Sequence, residues 1–243
     1  MVGTLEQAGQ GPVSERPGLR WRVFSPIGAV LLAFAVLIVA AGVLQAAPLS
    51  DNATTALLQF GTSLLLLVFA LLLRRGLPAH ERRLTTALKG SLRGAIGVGT
   101  AVGAAVVVAA GVIILIGQAI DPVVKRRLDE MQDIGTVPWE LAITVFSLVV
   151  LAPLGEELLF RGLLLRALAR RLRFWRAAII TSLLFASAHP DSYVLWPRAI
   201  ALALTGLALA WLYRRRGYWA SVTAHATVNT VAAIALVATS VTA

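Results

Sequence analysis

Long runs of about twenty apolar residues, broken only by short basic clusters, recur along this chain and leave few ways for it to fold. About 20 such residues are needed to cross the ~30 Å hydrocarbon core of a bilayer as a helix. In lipid every backbone polar group must be satisfied inside the segment, so helices are the default spanning element. Seven runs meet that description, at 26–47, 53–73, 94–119, 139–169, 174–190, 195–213 and 218–240. The fourth contains Pro153 and Gly155 and can count as two helical pieces, which makes eight. The fold class expected is therefore an all-α, polytopic membrane helix bundle of about seven to eight transmembrane helices.

Composition agrees. Hydrophobic residues make up 58% of the 243 and charged residues 14%, with a mean hydropathy of +0.81. Soluble domains average about 45–50% apolar and about 25% charged. The net charge of +10 does not point to nucleic acid, because the arginines lie in short clusters between apolar runs. Clusters of that kind set membrane topology. There is no cysteine, which excludes disulfides and thiolate metal sites.

The clusters alternate between loops. Arg16, Arg20 and Arg22 precede the first run, and Arg74, Arg75, Arg82, Arg83, Lys89 and Arg93 follow the second. Arg166, Arg170, Arg171, Arg173 and Arg176 lie around the end of the fourth, and Arg214–Arg216 follow the sixth. The alternation is weakest in the loop 121–138, which holds Lys125, Arg126 and Arg127. An excess of Lys and Arg marks cytoplasmic loops, so the N-terminus is expected in the cytoplasm. Residues 1–20 are polar and read as a disordered cytoplasmic tail. The first run is too long for the apolar core of a secretory signal. Residues 21–134 read as N-terminal transmembrane helices and 135–243 as a transmembrane core. Gly99 and Gly103, four apart in the third run, have the small-xxx-small spacing that lets helices approach closely, although membrane helices also carry glycine without such a role.

Ionisable residues within membrane spans are costly and mark functional sites by default. Three segments carry them: Gly155-Glu156-Glu157-Leu158-Leu159-Phe160-Arg161-Gly162, Phe185-Ala186-Ser187-Ala188-His189 and His225-Ala226-Thr227-Val228-Asn229. Counted at ~1.5 Å per residue from the basic side, Glu156 lies roughly 20 Å deep, His189 roughly 22 Å and His225 with Asn229 roughly 10–16 Å. All four can meet in one cavity. The third histidine, His80, sits in a basic loop and is expected to be solvated.

Helix spacing separates the two glutamates. Glu157 and Arg161 are four apart and can pair on one face. Glu156 projects about 100° away with Phe160 at i+4, which leaves it the free carboxylate and the candidate general base. In an α-helix Pro153 would free the Val149 carbonyl just before this motif. His225 and Asn229 share a face, and both can donate hydrogen bonds to a developing oxyanion. His189 can hold a water beside Glu156. Taken singly, a Glu–Arg pair can be only a clamp, and a lone His or Asn only an interhelical hydrogen bond.

In order and spacing these segments resemble the signature of the CAAX-protease and bacteriocin-processing family of intramembrane endopeptidases, also called the abortive-infection family. Its motifs are Glu-Glu-x-x-x-Arg, Phe-x-x-x-His and His-x-x-x-Asn or Asp. Here they read Glu156-Glu157 to Arg161, Phe185 to His189 and His225 to Asn229, and the likeness covers about residues 135–243. The resemblance implies that Glu156 and His189 activate the attacking water, and that His225 and Asn229 stabilise the oxyanion. It also implies that Glu157, Arg161 and Phe185 shape the site. It further implies a peptide or membrane-protein substrate. The multi-pass chain is expected in the plasma membrane, and its short, arginine- and alanine-rich sequence reads as bacterial. One glutamate and two histidines could ligate a catalytic zinc with an open position. There is, however, no His-Glu-x-x-His element. The resemblance favours a water activated without metal, so no cofactor is expected. The rival classes are a proton-coupled transporter, since Glu, His and Arg also build proton relays, and a non-catalytic immunity or scaffold protein.

Overall fold

The computed structural model describes residues 19–47, 49–130 and 137–242. Nine helices make up nearly all of it among the described residues: α1 (Leu19–Gln45), α2 (Asp51–Arg75), α3 (Ala79–Thr85), α4 (Leu92–Ile120), α5 (Pro122–Glu130), α6 (Pro138–Leu168), α7 (Phe174–Ser187), α8 (Trp196–Arg216) and α9 (Tyr218–Thr242). The tail expected over 1–20 lies, as far as residue 18, outside the described residues, and Leu19 and Arg20 already belong to α1. Among the described residues six helices are long and apolar enough to cross a membrane: α1, α2, α4, α6, α8 and α9. The chain is thus an all-α, multi-pass membrane protein.

The fifth expected crossing differs. α7 has 14 residues, about 21 Å at 1.5 Å per residue and short of the ~30 Å core. Its apolar run meets His189-Pro190, and a residue before proline is pushed out of helical conformation. His189 accordingly has extended backbone (φ −106°, ψ 112°), and a 3₁₀ turn, Pro190–Tyr193, follows. His189 therefore stands just beyond the helix end rather than on its side.

Local signals start and stop the other helices. Ser50 caps α2 by accepting from Ala53 N at 3.0 Å, and Ser91 caps α4 by accepting from Gly94 N at 3.1 Å. α6 opens on Pro138, while Glu140 accepts from Val137 N at 3.3 Å and from Ser50 Oγ at 2.9 Å. α8 stops at Gly217, whose φ of +88° is open to glycine at little cost. A side chain there would also strike the Ala87 carbonyl oxygen, at 2.1 Å from its Cβ. This contact ties the loop after α3 to the α8–α9 turn.

α6 is the central helix. Half of its most apolar window is buried in protein, against 11% for α4, so α6 faces other helices where α4 largely faces outward. Leu158, Leu159, Leu164 and Leu165 of α6 pack with Ala177, Ala178 and Phe185 of α7 and Ala210 of α8. Behind this core α4 lies against α9. A Cβ on Gly99 would stand 2.6 Å from the Ala220 carbonyl oxygen, and one on Gly103 2.6 Å from that of Ala224. The small-xxx-small spacing is therefore used, and it seats the part of α9 that carries His225.

Tryptophans sit where the spans end. Trp175, Trp211 and Trp219 are exposed near the basic end, and Trp139 and Trp196 near the opposite one. Such rings favour the headgroup level. Arg214 stacks over the Phe174 ring at 4.4 Å, so the basic end of α8 meets the start of α7.

Overpacking a tight helix contact costs about 1–3 kcal/mol. Gly103→Val is expected to lower the melting temperature of the detergent-purified protein by several degrees. Gly111→Val, where nothing lies within 4 Å of the new Cβ, should leave it nearly unchanged. Equal melting temperatures for the two variants would contradict the close α4–α9 approach.

Candidate active site

The three polar segments meet. Glu157 is wholly buried, with Arg161 at 1% exposure. Arg161 Nη1 donates to Glu157 Oε1 at 2.9 Å, as the four-residue spacing predicts. Arg161 Nη2 donates to the Gly206 carbonyl on α8 at 3.2 Å, and its guanidinium lies 4.5 Å from the centre of the Phe185 ring. His225 Nδ1 reaches Glu157 Oε1 at 3.0 Å. The Ser221 hydroxyl donates to Glu157 Oε2. A buried ion pair is stable only when its remaining lone pairs and protons are also satisfied. Here α6, α7, α8 and α9 each contribute to doing so.

Glu156 is placed differently. Its Oε2 is buried and has no hydrogen-bond partner. Two imidazole nitrogens face it, His189 Nε2 at 4.0 Å and His225 Nε2 at 3.9 Å. Both rings have their tautomer set from behind. A carbonyl oxygen only accepts, so His189 Nδ1, 2.8 Å from the Phe185 carbonyl, carries a proton. His225 Nδ1 likewise donates to the Glu157 carboxylate. Each ring therefore turns Nε2 toward Glu156. Phe185 lies between them, its ring centre 4.8 Å from that of His189 and 5.7 Å from that of His225.

The backbone of α6 opens beside these groups. It is wound as a π-helix over Ser147–Leu151 and again over Glu157–Leu165. Short π segments inside α-helices are frequent at functional sites. In the first of them Ala152 N–H bonds the Ser147 carbonyl, five residues back. By the same winding the Leu148 carbonyl would await the N–H of residue 153, and that residue is proline. Asn229 Nδ2 fills the gap, donating to Leu148 O at 2.7 Å. The orphaned carbonyl is thus that of Leu148 and not of Val149, which α-helical counting had indicated. The hydrogen bond takes one of the two amide hydrogens of Asn229 and leaves the other. Tyr218 similarly donates to the Leu154 carbonyl at 2.8 Å. Gly155 lets α2 approach, since a Cβ there would lie 2.9 Å from Leu67 N.

Each residue singled out in the sequence lies at this centre: Glu156, Glu157, Arg161, Phe185, His189, His225 and Asn229. His80 does not. Its side chain is 68% exposed on α3, 3.8 Å from Glu81. Sequence reasoning missed Ser221, Tyr218 and the Leu148 and Gly206 carbonyls. Ser221 did carry a signal, since residues 221, 225 and 229 form one stripe at i, i+4 and i+8.

A tetrahedral zinc with ligands at about 2.0–2.1 Å would hold its donor atoms about 3.4 Å apart. The separations around Glu156 Oε2 are wider, at 3.9 and 4.0 Å. Among the described residues no group of three or more His, Cys, Asp or Glu is gathered tightly enough to hold a metal ion.

Fold and site together define a multi-pass membrane protein with a buried carboxylate–histidine centre. Residues 138–231 match the family described as type II CAAX prenyl endopeptidase Rce1-like. That segment contains all three motifs, and the match agrees with the resemblance read from the sequence. An uncharacterized 24.3 kDa protein of Escherichia coli is 38% identical over 102 residues, which is 41% of this chain. The match spans 46% of that relative's length, less than half. No solved structure matches the chain significantly.

Removing one partner of a buried pair leaves an uncompensated charge and costs about 3–5 kcal/mol. Arg161→Met is expected to lower the melting temperature sharply, and Glu157→Leu combined with Arg161→Met to recover much of the loss. A single variant as stable as wild type would show that the pair is not held out of water.

Proposed function

We propose that the protein is an intramembrane endopeptidase in which Glu156 activates a water that attacks a peptide carbonyl directly. The observation that carries this reading is the buried, unpartnered Oε2 of Glu156 with two imidazole nitrogens turned toward it. A neutral Nε2 accepts a hydrogen bond, as does a carboxylate oxygen. One water with hydrogen bonds of about 2.8 Å spans the 4.0 Å between Glu156 Oε2 and His189 Nε2 at roughly 90°. It donates to both and points a lone pair outward.

Attack forms the bond from the water oxygen to the carbonyl carbon, and the water proton passes to Glu156. The carbonyl oxygen becomes an oxyanion. When His225 carries a second proton, on Nε2, it can offer that hydrogen to the oxyanion while Nδ1–H stays on Glu157. The second amide hydrogen of Asn229 is the other candidate donor, held in place by the bond of the first to Leu148. Donors fixed in advance in a dry site are worth more than the same donors in water. Glu156 then gives its proton to the leaving nitrogen, the carbon–nitrogen bond breaks, and an acid and an amine depart. The chain has no cysteine, and among the described residues no serine is paired with a histidine in a way that would support an acyl-enzyme. Ser187 bonds back to the Leu183 carbonyl at 2.9 Å.

The substrate class inferred is a peptide or membrane-protein segment presented within the bilayer, and the location inferred is the plasma membrane of a bacterium. The test uses purified protein in detergent with fluorogenic peptides, farnesylated and unmodified, and products read by mass spectrometry. General-base catalysis contributes about 10²–10⁴-fold. Glu156→Gln is expected to lose at least that factor, while wild-type cleavage survives a chelator. Cleavage retained by Glu156→Gln, or abolished by the chelator and restored by zinc, would overturn the mechanism. Activity that appears only as flux driven by a proton gradient would favour a transporter.

A further inference from the structure

The stripe on α9 that holds His225 and Asn229 begins one turn earlier, at Ser221, which none of the three motifs includes. Ser221 is fully buried. Its hydroxyl donates to Glu157 Oε2, with the Leu209 carbonyl 3.2 Å away as a second acceptor. The other oxygen of that carboxylate is already occupied, by Arg161 at 2.9 Å and His225 at 3.0 Å. We propose that Ser221 is a positioning residue for His225: by holding the second oxygen of Glu157 it fixes the plane of that carboxylate, and so fixes the tautomer and aim of the His225 ring.

A carboxylate bound through one oxygen can turn about its last side-chain bond, a torsion with broad wells. Bound through both oxygens, it cannot turn without breaking a bond. Glu157 Oε1 must stay in line with both a guanidinium on its own helix and an imidazole on α9. The Ser221 bond opposes any turn that would move Oε1 off the His225 Nδ1–H direction. Orienting partners of this kind fix which nitrogen of a histidine carries the proton. The consequence at the site is that Nε2 of His225 stays turned to Glu156, at 3.9 Å. Ser221 itself touches no reacting atom. Its relevance to catalysis rests on the endopeptidase reading, whereas its effect on the ring does not.

The test reads the ring directly. The chain has three histidines, so ¹⁵N-histidine labelling of the full chain in nanodiscs, with His80→Gln and His189→Gln for assignment, resolves His225. Wild type is expected to show His225 as a single Nδ1-protonated tautomer when neutral. Ser221→Ala should show averaged nitrogen shifts from two tautomers. Ser221→Cys, nearly isosteric with a weaker donor, should fall between them, and keeps the test open if the alanine variant does not fold. In the peptide assay Ser221→Ala should lower kcat at least tenfold with little change in KM. His225 shifts identical to wild type in both folded variants would overturn the proposal and leave Ser221 a packing residue. Normal shifts in wild type with no peptide cleavage would instead count against the endopeptidase reading alone.

Discussion

The carboxylate of Glu157 has no access to water, and the rest of the site follows from that. A charge removed from water costs several kcal/mol unless its attraction to a partner and its hydrogen bonds repay it. Arg161 supplies the counter-charge from the same helix. That guanidinium then needs acceptors and a face to lie on, and finds the Gly206 carbonyl and the Phe185 ring. Glu157 in turn takes protons from Ser221 and His225 on α9. Satisfying one buried acid therefore requires α6, α7, α8 and α9 to converge at one point.

The adjacent acid escapes this satisfaction. Glu156 is one residue away on the helix and points out of the ion-pair cluster toward His189 and His225. Its Oε2 is left without a partner where most buried oxygens have one. Natural sequences break local rules of this kind mainly at functional sites, with compensation elsewhere. The compensation here is the dense bonding of Glu157, and the two imidazoles connect the two environments. His225 has Nδ1 on the structural acid and Nε2 toward the chemical one.

Much of this was legible in the residues. The span pattern indicated the helix bundle, and the i, i+4 rule identified which glutamate pairs with Arg161. That prediction survives even though α6 is π-wound after Glu157. The Gly99/Gly103 spacing correctly marked a close contact, but not that α9 was the partner. Two features could not be read. The α7 run looks like a crossing because its residues are apolar, yet Pro190 holds the preceding His189 in extended conformation and the helix ends at Ser187. The π-winding at Ser147–Leu151 has no simple signature, so the carbonyl orphaned by Pro153 was assigned one residue too late. The role of Asn229 as its donor depends on long-range packing and followed only from the three-dimensional arrangement.

The central claim is that two neighbouring glutamates do opposite things, one holding the fold and the other left unsatisfied for chemistry. The most direct test is the melting temperature of Glu156→Gln and Glu157→Gln beside wild type in the same detergent, which needs no substrate. Replacing the Glu156 carboxylate with an amide breaks no hydrogen bond from Oε2 to another residue, whereas the same change at Glu157 breaks an ion pair and its network. The account predicts that Glu156→Gln melts at or above the wild-type temperature and Glu157→Gln well below it. Equal losses of stability in both variants, or a larger loss at Glu156, would contradict it.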